Sequence, residues 1–259
     1  MPLRLAAASG LADLAIDIPP VNVLDGASLE ELARLVLQAG GERVLVLRGL
    51  PRAFSAGVSI AEHAPEPDAI DTMLAAMRGA LNALVKTPAI TIAAVSGACL
   101  GGGAEIAAAC DLVLTADDAR IGFPEIRLAC FPPGATALLP LRIGGSRAAD
   151  WILSGRTLSG REAADAGFAA RSFPAADLAR ETARLVEQLL ATSPAALAAA
   201  RDLLRADRRR ALAEALPRAE DAYRMLAGSE DLARAVAEFG KRGARDTSEV
   251  MRERQIGED

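Results

Sequence analysis

Between Pro88 and Ala116 the chain reads PAITIAAVSGACLGGGAEIAAACDLVLTA and carries only two charges, Glu105 and Asp111. So apolar a stretch belongs in an interior, yet its glycines and two carboxylates break it as a membrane span. It reads as strand, glycine turn, helix and strand: AITIAAVSG has the continuous apolar character of a strand covered on both faces, and a helix opens after the three glycines Gly101–Gly103. A helix N-terminus presents free amides at the positive end of its dipole, which suits an anion or a developing oxyanion. The run is not a P-loop, because Ala104 and Glu105 follow the glycines. GACLGGG does not fit G-x-G-x-x-G, and Ser96 in AAVSGAC makes no nucleophile elbow.

Glu105 has two readings. A first-turn glutamate complements the helix dipole with no chemical role. A carboxylate in such apolar company is also desolvated, which raises its pKa and suits proton transfer. A second carboxylate follows in ARIGFPEIRLACFPPGA, where Glu125 is either a loop acid paired with Arg127 or Arg120 or the partner of Glu105. Gly-turn amides, a carboxylate on the adjoining helix and another on a nearby loop together favour the second view.

The remaining pattern places this site in an α/β chain. LADLAIDI alternates as a half-buried strand does, and IPPVNVLDG breaks it. SLEELARLVLQAGG is a helix with Ser28 and Glu31 in capping-box spacing, and Ser159 with Glu162 forms a second box. RVLVLRG is a buried strand, Asp68 to Val85 a helix, and from Pro174 onward helices dominate. These patterns predict a core over residues 1–192 and a helical carboxyl-terminal region over 193–259. No sequence-period repeat is visible.

Composition removes several function classes. The 259-residue chain has a net charge of −5 and 3% aromatic residues, with its arginines dispersed, which weighs against nucleic acid as a partner. RADRRRALAEALPRAED, the densest basic cluster, is interleaved with Asp207, Glu214, Glu220 and Asp221 and reads as a solvated helix face. With one histidine, His63, no His-based metal cluster assembles, and any Ser-His-Asp triad would need that residue. Cys99, Cys110 and Cys130 form no C-x-x-C and read as reduced, buried thiols. Asp13 and Asp17 interrupt any signal-peptide core, so the expectation is a cytoplasmic protein with no membrane segment.

Taken together, RAFSAGVSI from Arg52, the Lys86–Pro133 segment around GACLGGGAEIAAACD and FPEIRLACFPP, LSGRTLSGREAADAGF from Leu153 and AVAEFGKR near the end resemble the enoyl-CoA hydratase/isomerase (crotonase) superfamily over nearly the whole chain. The resemblance implies an α/β spiral of ββα units, followed by helices that build trimers or hexamers. It implies an acyl-CoA thioester as substrate, coenzyme A entering only as part of it, and no permanently bound cofactor or metal. By motif match the backbone amides of Val58 and Gly102 would form the oxyanion hole, and Glu105 and Glu125 the catalytic pair. The glycines would clear space for the thioester. Retaining both glutamates argues for a hydratase over an isomerase or decarboxylase. A non-catalytic acyl-CoA or RNA binder is the alternative from another class.

Phe123 and FPPGATALLP depart from the straight-chain pattern. FSAGVSIAEHAPE with PEIRLACFPP looks more like the cyclohexa-1,5-diene-1-carbonyl-CoA hydratase subfamily, with methylglutaconyl-CoA-type hydratases as the rival. Phe123, Phe131 and Trp151 are candidates for the acyl pocket or for plain core, and His63 for its border. Val21 in PPVNVLDG and Ala56 are assigned to CoA, as are Phe239 and Lys241 of the terminal helix.

Overall fold

The computed structural model describes residues 3–59 and 67–238. In chain order its strands are β1 (Leu3–Ala8), β2 (Leu11–Ile16), β3 (Val23–Leu24), β4 (Val44–Arg48), β5 (Ala53–Ser55), β6 (Gly57–Val58), β7 (Ile90–Val95), β8 (Ala98–Leu100), β9 (Leu112–Ala116), β10 (Arg120–Gly122), β11 (Thr157–Ser159) and β12 (Arg171–Phe173). The helices are α1 (Gly26–Gln38), α2 (Pro67–Lys86), α3 (Gly102–Ala109), α4 (Pro133–Ile143), α5 (Gly145–Ser154), α6 (Gly160–Asp165), α7 (Leu178–Leu190), α8 (Pro194–Leu204) and α9 (Ala206–Ala227). Residues 230–238 are also helical.

One sheet has the order β1-β2-β4-β7-β9-β12 and a second the order β11-β10-β8-β5, while β3 and β6 pair separately. Strands β2, β4, β7, β9 and β12 run parallel, with β1 antiparallel at the edge. All of β7 is buried, as its unbroken apolar run requires of a central strand. The repeat the sequence hid is architectural. Each of the pairs β4/β5, β7/β8 and β9/β10 puts its first strand in the larger sheet and its second in the smaller, and a helix follows.

The apolar run is therefore two strands, where the sequence pattern suggested one leading into the glycines. Gly97 makes the corner at φ +60°, and a Cβ there would lie 2.1 Å from the Arg52 carbonyl oxygen. No other residue fits that turn.

Helix starts follow side-chain chemistry. The Ser159/Glu162 capping box is present at α6. At α1 the cap is Asp25, not Ser28: the Asp25 carboxylate accepts from the Ser28 amide at 2.8 Å, so the helix begins three residues earlier than the Ser-x-x-Glu spacing suggested.

The basic cluster also differs from expectation. Arg205 is buried and binds Asp111 together with the carbonyls of Thr87 and Ala89, and Arg208 binds Asp111 and the carbonyls of Ala109 and Cys110. These cations leave the helix surface because the end of α3 and Asp111 offer acceptors that water cannot reach. No helix among the described residues is long and apolar enough to cross a membrane.

Candidate active site

Helix α3 enters the site with its N-terminus. Its first-turn amides have no intrahelical acceptors. Gly101, the cap residue at φ +52°, donates its amide to the Gly122 carbonyl at 2.9 Å and so ties the turn to β10. The glycines are required by the protein's own packing rather than by a ligand alone. A Cβ on Gly102 would lie 2.5 Å from Val58 Cγ2 and 2.8 Å from Met77 Cε, and one on Gly103 would lie 2.6 Å from Ser55 Cβ. The Cβ on Gly102 would also lie 3.6 Å from the Val58 amide nitrogen, so the two residues named from the motif are close neighbours.

The loop carrying Val58 is set by Asn22, which sequence reasoning passed over. Its buried side chain donates to the carbonyls of Ile16, Ala53 and Phe54 and accepts from the Ile18 amide at 2.7 Å. Its carbonyl accepts from Ser55 Oγ at 2.7 Å. The signal was PPVN: a short amide side chain two residues after a strand-breaking pair, able to hold φ +55° and to satisfy backbone groups of two strands. Val21 lies beside it, and its carbonyl accepts the Ala56 amide at 2.9 Å, joining the two segments assigned to CoA.

A cleft opens over this turn, lined by Ala56, Val58, Gly102, Glu105, Glu125 and Phe131 among others. Glu105 is buried, and its Oε1 accepts from the Ala135 amide at 2.8 Å at the start of α4. Burial pushes this carboxyl up to about 7 against the pull of the Ala135 and Gly134 amides. Glu125 comes from the short 3-10 turn Pro124–Leu128. Burial raises it to about 8, with the neighbouring charge of Glu105 adding to the effect. Its Oε2 is buried without a hydrogen-bond partner among the described residues, so the arginine-paired reading of this loop acid fails. The Glu125 carbonyl accepts from the Cys130 amide at 3.3 Å and from its thiol at 3.5 Å, which fastens the loop. Cys130 is free and buried, as are Cys99 and Cys110.

The acyl-pocket candidates divide. Phe131 lines the cleft, its ring 5.8 Å from that of Tyr223 and edge-on to it. Phe123, expected there, is fully buried in the main core with its ring 5.4 Å from Trp151 and 6.4 Å from Phe168; β10 ends just before it and turns its side chain inward. Trp151 shares that cluster. His63, Phe239 and Lys241 lie outside the described residues. Sequence reading also missed the wall supplied by α2 and α9, where Met73, Leu74, Met77, Arg78, Glu220 and Tyr223 meet the cleft. Both were legible as amphipathic helices, but nothing local said they would face each other across a site.

Desolvated carboxylates of raised pKa close to backbone amides have the chemistry to exchange protons beside a developing negative charge. Comparison with known proteins gives this arrangement a family. The cyclohexa-1,5-dienecarbonyl-CoA hydratase of Thauera aromatica is 39% identical over 147 residues, 56% of each chain, so this chain spans little more than half the length of that relative. The 2,3-dehydroadipyl-CoA hydratase of Escherichia coli is 34% identical over 223 residues, covering 84% of this chain and 87% of that one. A solved enoyl-CoA hydratase from Mycobacterium avium subsp. paratuberculosis superposes with a TM-score of 0.85 at 25% identity, over 93% of this chain and 96% of that one. Residues 6–245 match the model of one family throughout, and the fold agrees: the chain belongs to the enoyl-CoA hydratase/isomerase family.

Proposed function

We propose that the protein adds water across the α,β double bond of an acyl-CoA thioester, the acyl group being a cyclic dienoyl group. The observation that carries this reading is the pair Glu105 and Glu125 beside Gly102, Glu105 buried and Glu125 with its Oε2 buried, both raised by desolvation and Glu125 further by the charge of Glu105. Near neutral pH such a pair holds a proton between its members and titrates as a unit. Ionised Glu105 then accepts a proton from water as its oxygen bonds to the β-carbon. The π electrons move toward the thioester oxygen, where the amides of Val58 and Gly102 receive the charge, each donor contributing roughly 3 kcal/mol. Glu125 delivers its proton to the α-carbon, and proton transfer from Glu105 to Glu125 restores the pair. Substrate and water supply every electron, so the step calls for no redox partner.

The dienoyl choice is supported by the name of the Thauera relative and by the loop residues around Ala56 and Glu125 that resemble that subfamily. CoA would run past Val21 and Ala56. A trimer or dimer of trimers is supported by α8, which has no buried residue and leaves Leu203 79% and Leu204 76% exposed. Three free, buried thiols suit a reducing cytoplasm.

Incubation with linear, branched and cyclic enoyl-CoA thioesters tests the function. A product heavier by one water is expected, most readily from the cyclic diene; products of unchanged mass would make the protein an isomerase instead.

A further inference from the structure

Helix α9 presents Leu216, Glu220 and Tyr223 to the cleft at spacings of four and three residues, which is one helix face, opposite Glu105 and Glu125. Helix α2 adds Met73, Leu74 and Met77. Behind them Met73, Leu74 and Tyr223 pack with Ile70, Leu232 and Val236 in an apolar cluster, which backs this wall of the cleft. The wall is apolar and adaptable, with two methionines and the edges of Phe131 and Tyr223.

It carries one ion pair. Arg78 donates to Glu220 Oε2, and the Glu220 side chain is only 2% exposed. Arg224 approaches the same oxygen at 4.0 Å, but Asp71 and Asp221 hold its guanidinium at 2.6 Å and 2.7 Å. Among the described residues, the one guanidinium that lines the cleft is Arg78, and it is already matched by a buried acid. An acyl group bringing a carboxylate of its own would join Glu105, Glu125 and Glu220 with no unmatched cation among the described lining residues to meet it.

We infer that the pocket selects compact, uncharged acyl groups, and that the Arg78–Glu220 pair and Tyr223 are the specificity determinants. Glu220 excludes acidic acyl groups by occupying Arg78, and Tyr223 with its backing cluster excludes long chains. The inference rests on the hydratase reading for where the acyl group lies, and it favours a cyclic or short acyl group over a dicarboxylic one.

The test measures dissociation constants of unreactive saturated thioesters, namely cyclohexanecarbonyl-, valeryl-, glutaryl- and decanoyl-CoA. Wild type is expected to bind the first two at least about tenfold more tightly than the last two. Glu220→Gln frees Arg78 and is expected to narrow the valeryl/glutaryl gap by about tenfold, whereas Tyr223→Ala is expected to recover decanoyl-CoA binding by a similar factor. Equal wild-type binding of glutaryl- and valeryl-CoA overturns the assignment without any variant, as does an unchanged ratio in folded Glu220→Gln. Turnover of the unsaturated counterparts is followed in parallel. Selective binding with no hydration would sink the hydratase reading and leave the pocket assignment standing; hydration with no selectivity would do the reverse.

Discussion

Helix α3 has eight residues, and an acid stands near each end of it: Glu105, buried, in its first turn and Asp111, partly buried, just past its last. Both come from the same apolar stretch, yet their surroundings are opposite. Burial would raise Asp111 as well, but the hydrogen bond and charge of Arg205, the Thr91 amide and Arg208 outweigh it and hold this carboxyl below the ordinary range. Arg208 and Arg142 also donate to the carbonyls of Ala108, Ala109 and Cys110 that close the helix. Glu105 meets two backbone amides and, among the described residues, no cation. A buried acid whose charge is matched fastens the structure; one whose charge is left unmatched can exchange a proton near neutral pH. The carboxyl-terminal region thus reaches both surroundings, binding Asp111 through Arg205 and Arg208 and lining the cleft with Glu105 through Tyr223.

This contrast breaks if the two ends respond alike to mutation. Glu105→Gln, and Glu125→Gln with it, should lower the hydration rate by about 10²–10⁴-fold while acyl-CoA still binds, read by single-turnover kinetics and by titration. Near-normal turnover in either variant removes the assignment. Asp111→Ala should act on stability instead, costing about 3–5 kcal/mol in denaturant unfolding because two guanidiniums lose their acid, with turnover per folded molecule retained.

Titration sharpens the comparison further, because the signs differ. The raised carboxyls Glu105 and Glu125 favour the fold fully below their ordinary pKa of 4.5, and that contribution is lost as pH rises through about 7 and about 8. Glu105→Gln should therefore recover roughly 1–3 kcal/mol of stability at pH 9 relative to wild type. Asp111, depressed, contributes above its ordinary value of 3.8 and loses that contribution as pH falls, so Asp111→Asn should flatten the acid limb of the stability curve. The smallest effect is kinetic: kcat/KM should trace a narrow bell whose limbs lie near 7 and 8, and replacing Glu125 should abolish the upper limb.

Much of this was legible along the chain, and the residues show why. The all-apolar β7, the capping box at Ser159 and the glycine-to-helix start at Gly101 are local patterns whose physics is complete within a few residues. Glu105 stood out because it is charged where little else is. Local spacing misplaced the start of α1 by passing over Asp25, and it left β8 out of the path from β7 to the glycines because the corner at Gly97 depends on Arg52, forty-five residues earlier by count along the sequence. Phe123 and Phe131 look alike in sequence, and only the end of β10 and the position of α9 send one to the core and the other to the cleft.

By itself the sequence determined which segments are buried, which turn opens α3, and that two acids and a run of amides lie within twenty-five residues of one another. Tertiary structure decided which acid has its charge matched. Glu105 and Asp111 are equally buried candidates on the page of letters, and the difference between them is the arrival of Arg205 and Arg208 from almost a hundred residues away. A pKa is set by the whole three-dimensional neighbourhood of charge and solvent, and so is a pocket wall assembled from α2 and α9.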